Sequence, residues 1–116
     1  MANYMLVLRD EPTAFEGMGP EEMQRIIARY TAWSEALAAK GQLVDGNKLV
    51  DEAGRVVRRT GGQLRVVDGP FAEAKEIVGG YFTVEAESYD AAVEIASDCP
   101  HLDYGSVEIR EVDADH

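Results

Sequence analysis

The chain has 116 residues, 46% hydrophobic and 28% charged, a composition that suits one globular domain spanning 1–116 and excludes a disordered segment. Eleven basic against 22 acidic residues leave a formal net charge of -11, which argues against nucleic acid and anionic membranes as partners. A single cysteine, Cys99, rules out an intramolecular disulfide framework and fits a reducing compartment, so the cytoplasm is the expected location.

The N-terminal run MANYMLVLRDEP lacks the basic leader of a signal peptide, and no stretch approaches the roughly 20 apolar residues that cross a bilayer. Asn3 to Arg9 instead predicts a strand with apolar side chains on both faces, hence a central one. Asp10 to Gly19 is a loop, and Pro20-Glu21-Glu22 opens a helix, with proline in the first turn and carboxylates at the positive end of the dipole. Met23, Ile26, Ile27, Tyr30, Trp33 and Leu37 recur at helical spacing as one apolar stripe, read as core or dimer contact, and Gly41 stops the helix.

Gln42 to Val50 predicts a strand broken by Asp45-Gly46. Two β-prone runs follow, Arg55 to Thr60 and Gln63 to Val67, joined by Gly61-Gly62 as a tight hairpin. This hairpin holds the one dense basic cluster, Arg55, Arg58, Arg59 and Arg65, whose side chains alternate faces along the strands. After Asp68-Gly69-Pro70-Phe71 and a polar segment come Ile77-Val78, Gly79-Gly80 and the strand Tyr81 to Ala86. Ser88 caps a second helix running to Asp98, Pro100 ends it, and Ser106 to Val112 is the last strand.

The order β-α-β, hairpin, β-α-β is the split βαβ, ferredoxin-like arrangement of the α+β class: an antiparallel sheet with two helices on one face and an inserted β-hairpin. A second apolar sheet face is hidden most simply by another copy, so a homodimer with sheets face to face is expected.

The run VVDGPFAEAKEIVGGYF, Val66 to Phe82, resembles the signature of the YCII-related, DGPF-type proteins. YMLVLRD near the start, AAKGQLVDG, ASDCP and SVEIREV agree with it in order along the chain. The resemblance implies a ferredoxin-like subunit that dimerises into an α+β barrel, and an association of some members with extracytoplasmic-function sigma factors. It also implies, for the related YCII-type branch, a His-Asp pair acting on small molecules. There the histidine comes from the first helix and the aspartate directly precedes the proline ending the second. Tyr30 and Cys99 stand near those places here, so the pair does not carry over.

Candidate site residues follow from residue type and from the motif. Asp68 fixes a Gly-Pro turn, or acts as a catalytic base or ligand anchor beside the dimer cleft, with Phe71 next to it. Glu73, Lys75 and Glu76 group two carboxylates with one ammonium, suited to a small polar ligand or to a solvated loop. His101 is the available acid–base group, although a surface-loop histidine is the simpler expectation. Cys99 follows a helix C-terminus, whose dipole raises a thiol pKa, so it makes a poor nucleophile. Gly79-Gly80 lacks the lysine-serine pair of a phosphate loop and marks a bulge or a close backbone approach. No metal site, dinucleotide fingerprint or other cofactor motif is legible. Two functions remain: a small-molecule binder or enzyme with its pocket near the dimer interface, and a non-catalytic regulatory or interaction module.

Overall fold

The computed structural model describes residues 1–50, 54–68 and 77–115. Its elements run β1 (Ala2–Asp10), α1 (Pro20–Ala39), β2 (Leu43–Lys48), β3 (Arg55–Thr60), β4 (Gln63–Asp68), β5 (Ile77–Ala86), α2 (Tyr89–Ala96), a short 3-10 turn at Pro100–Asp103, and β6 (Gly105–Glu111). β2, β5, β1 and β6 form one antiparallel sheet in that spatial order, and β3 and β4 pair with each other as a separate ribbon.

The helix boundaries follow from local chemistry. Pro20 occupies the first turn of α1 with Glu21 and Glu22, and Gly41 takes a φ of 73° just beyond its end. Ser88 Oγ accepts the Ala91 backbone N–H at 3.1 Å, the expected cap of α2. α2 closes at Ala96, before the expected Asp98. β2 is continuous through Asp45-Gly46, where a break was expected; the irregularity is a register shift between Leu43 and Asp45. Gly46 is required there because a Cβ would lie 2.5 Å from the ring of Phe82 on the neighbouring strand.

The core lies on one face of the sheet. Tyr4 and Leu6 of β1 and Val84 and Ala86 of β5 pack with Leu37 of α1 and Ala92 and Ala96 of α2, so both helices cover the same side. Leu6 and Val84 are wholly buried; truncating such a leucine to alanine costs about 2–5 kcal/mol. Small alanines let the short α2 sit close on the strands. The opposite face is less apolar than expected: Met5 and Val7 are half-buried, and β6 places Glu108 and Arg110 opposite Val7 and Met5. Arg9 crosses to Glu108 at 2.8 Å on that side, and its hydrogen bond, then its charge, hold the Glu108 carboxyl below its ordinary range.

No helix among the described residues is long and apolar enough to cross a membrane.

Candidate functional site

β1 buries Tyr4, Leu6 and Leu8 on the helix side of the sheet, and the period of two carries Asp10 onto the same face. Opposite, the register jumps from Leu8–Gly80 to Arg9–Val78, leaving Gly79 as the extra residue of a bulge. The carboxylate of Asp10 lies over that glycine: a Cβ on Gly79 would stand 2.5 Å from Oδ2 and 2.6 Å from Oδ1. A Cβ on Gly80 would come within 2.8 Å of the Asn47 carbonyl oxygen. The glycine pair therefore serves close approach, as its sequence context implied, and the group it makes room for is a carboxylate.

His101 sits in the 3-10 turn between α2 and β6 and is only 3% exposed. The expectation of a surface histidine is corrected: Cys99 and Pro100 are buried with it, and the turn is tucked under α1. Its Nε2 lies 3.0 Å from the Arg9 carbonyl and 3.1 Å from Asp10 Oδ1. Both partners are acceptors, so Nε2 carries the proton in the neutral ring, and Nδ1 accepts the hydroxyl of Tyr30 at 2.9 Å. The Nε2 hydrogen bond goes to the Arg9 carbonyl and Asp10 Oδ1 stands in close contact with the same nitrogen, so Asp10, His101 and Tyr30 form one polar cluster drawn from β1, the 3-10 turn and α1.

Neighbouring contacts fix this geometry. Arg29 donates to Asp103 at 3.0 Å and to the Tyr104 hydroxyl at 3.3 Å, while Trp33 Nε1 donates to Asp98 at 3.1 Å. Each exposed pair is worth little alone, under about 1 kcal/mol, but together they clamp residues 98–104 against α1 on either side of the Tyr30–His101 bond. Burial first, and then the neighbouring Cys99 and Asp10, push the Tyr30 phenol above its ordinary pKa. Tyr30 consequently stays protonated and donates. Burial also pushes the Cys99 thiol up to about 11, against the pull of the His101 backbone N–H. The thiol is inert, as its sequence position suggested, with burial as the main cause.

The three groups line a pocket of about 220 Å³ between α1 and the sheet. Leu8, Phe15, Met23, Ile26, Ile27 and Phe82 make its walls mostly apolar, and Asp10, Tyr30 and His101 supply polar groups beside Thr31, Ser34, Asn47 and Lys48. An apolar cavity of about 150 Å³ admits benzene, so this one has room for a single substituted ring. Its walls lie on the helix-bearing face of the sheet, opposite the surface expected to meet a second copy.

Of the candidate residues named from sequence, His101 lines this pocket. Asp68 ends β4 on the separate ribbon, exposed and paired with Arg55 at 3.2 Å, and is not among the lining residues. Phe71, Glu73, Lys75 and Glu76 lie outside the described residues. Asp10 and Tyr30 were not singled out as site residues. The signal for Asp10 was present: a carboxylate at the next alternate position after three apolar side chains on the buried face of β1.

Residues 2–114 match the family model of the YCII-related domain. An uncharacterised protein of Rhizobium meliloti (strain 1021) is 28% identical over 110 residues, covering 92% of this chain and 89% of that protein. Among solved structures, 5-chloro-2-hydroxyhydroquinone dehydrochlorinase (TftG) from Burkholderia phenoliruptrix AC1100, in complex with 2,5-dihydroxybenzoquinone, is similar with a TM-score of 0.50 at 16% identity. That likeness covers 96% of this chain and 93% of the other, and what it shows is a shared fold. With the family model spanning nearly its whole length, the chain belongs to the YCII-related domain family.

Proposed function

We propose that this protein binds a small, ring-sized organic molecule with one polar, ionisable end and moves a proton on it. The observation that carries this reading is the Asp10–His101–Tyr30 cluster lining a pocket whose walls are mostly apolar. A ring is held by the hydrophobic walls and its hydroxyl is oriented by Asp10 and Tyr30. Asp10, with a side chain 20% exposed, is the group open to a ligand proton, and Tyr30, whose one hydroxyl proton is given to His101, offers its oxygen as an acceptor that orients a ligand hydroxyl. His101 is nearly buried and engaged at both nitrogens, so it acts as a positioning residue that orients the other two. TftG, of the same fold, acts on a hydroxylated ring, which fits the class of ligand suggested by the walls. The ligand expected from sequence was a small polar molecule; the lining favours a more apolar body with a polar end.

A thermal-unfolding screen of the purified protein against phenols, hydroxyquinones, ring ketones and aromatic acids tests this. A ligand at about a hundredfold over its Kd adds roughly 2.7 kcal/mol and raises the midpoint by several degrees. The reading expects a ring-bearing hit that is lost in Asp10→Asn and weakened in Tyr30→Phe, both folded. Hits confined to strongly polar, acyclic compounds, or binding indifferent to Asp10→Asn, would sink it.

The homodimer belongs to the same proposal. Met5 and Val7 on the uncovered sheet face support it, as apolar side chains for which burial against a second sheet is favourable. Sedimentation of the wild type against Val7→Lys tests it: an unchanged mass would remove that face from the interface.

A further inference from the structure

The β3–β4 ribbon stands apart from the four-stranded sheet, and an isolated two-stranded hairpin is only marginally stable in water. Its described residues are exposed except for the half-buried Val56. Pairing of Val57 with Val66 and of Arg59 with Leu64 puts an apolar ridge on one face, with Val57, Leu64 and Val66 59%, 62% and 57% exposed. Between Arg55 and Asp68 the ribbon carries four arginines against one aspartate, in a chain whose net charge is -11. Four of the eleven basic residues are gathered on this one exposed arm.

The complementary surface lies elsewhere on the same chain. A groove of about 620 Å³ runs between α1 and α2, away from the pocket described above. Trp33, Ala36, Ala91 and Ile95 line it along with the acidic residues Glu85, Glu87, Glu94 and Asp98, and Lys40 is its basic lining residue. An apolar ridge flanked on its own face by Arg55 and Arg59 matches an apolar floor edged by carboxylates in both respects.

We propose that the β3–β4 ribbon is a docking arm whose occupant is a second copy of this chain, seated in the acidic groove between α1 and α2. The arm of each copy enters the groove of the other, so the contact is made twice about a two-fold axis. Nucleic acid is disfavoured as the occupant because the body behind the arm is acidic and repels a polyanion. Charge on the two rims steers the encounter and sets the register, while the ridge supplies apolar burial.

Sedimentation equilibrium of the full chain at about 50 mM and about 500 mM salt tests this, since screening shortens across that range. Self-association weakens at least about tenfold at the higher salt, a change of about 1.4 kcal/mol. Arg55→Glu with Arg59→Glu, the two arginines on the face of the ridge, weakens it to a similar degree at low salt, and so does Glu87→Lys with Glu94→Lys. All four positions are exposed, and circular dichroism checks that each variant is folded. Mixing the two charge-reversed variants recovers association, because reversed arm meets reversed groove. A monomer at every concentration and salt overturns the proposal, as does a dimer indifferent to both reversals. Binding of heparin by the arm without self-association assigns it to a polyanion and overturns it equally.

Discussion

The hydroxyl of Tyr30 lies 2.9 Å from Nδ1 of His101, two groups separated by 71 residues of chain. On the far side of the same imidazole, Nε2 faces Asp10 and the carbonyl of Arg9. An α1 tyrosine therefore meets a histidine supplied from just beyond Pro100. The resemblance led one to look for a histidine on α1 and an aspartate immediately before that proline. Imidazole and carboxylate are both present at this place, delivered from the 3-10 turn and the end of β1.

Tyr30→Phe leaves His101 Nδ1 buried without its donor. Leaving a buried acceptor unsatisfied costs about 1–3 kcal/mol, which urea unfolding monitored by far-UV circular dichroism resolves. A change under about 0.5 kcal/mol would mean that water replaces the phenol at no cost and that the cluster of three groups is not rigid.

Gly79→Ala places a methyl group against both oxygens of Asp10. The carboxylate must shift, so ligand binding is expected to fall with Asp10→Asn while stability drops by about 1–3 kcal/mol, the usual cost of overpacking. Unaltered binding in a folded Gly79→Ala variant would separate Asp10 from the ligand.

Gly105→Ala should cost more than Gly79→Ala. Its Cβ would meet the backbone carbonyl of Arg9 in the paired strand β1, which cannot rotate out of the way as a side chain does. Comparative thermal unfolding of the two variants checks the order, and the reverse ranking would show that the β1–β6 edge yields more readily than the bulge.

Stability should fall on the alkaline side. Cys99 holds its proton up to about 11 when folded against 9.0 as its ordinary value, and Tyr30 is shifted in the same direction. Between those values the folded chain binds more protons than the unfolded one, so stability present below pH 9 declines as pH rises toward 11. Urea midpoints measured from about pH 8 to about pH 11 should trace this decline, and Cys99→Ala should flatten it. The same burial predicts that Cys99 resists a thiol-specific disulfide reagent until the protein is unfolded. Rapid modification of the native protein would contradict its placement.

Much of the fold was legible in the chain before any coordinates. The stripe from Met23 to Leu37, the proline at the start of α1 and the glycine after it are local signals, and α1 forms where they place it. The Gly61-Gly62 hairpin was legible for the same reason: both residues adopt the positive φ such a turn needs. Ser88 capped α2 because the cap is satisfied within four residues of chain. Strand alternation also foretold which side of β1 would be buried.

What periodicity could not convey is which distant residues meet. Asp10 read as the first residue of a loop, and it became the last of a strand because β5 and β6 extend the pairing past Arg9. His101 read as exposed because a short polar turn after a proline usually is. It is buried because α1 passes over that turn and Tyr30 satisfies its ring nitrogen. The ribbon was legible as a hairpin, yet its separation from the sheet depends on strand partners far away in the chain. Local conformation follows from neighbours a few residues apart, whereas the site depends on packing that closes loops of tens of residues, and no pattern within one segment encodes that closure.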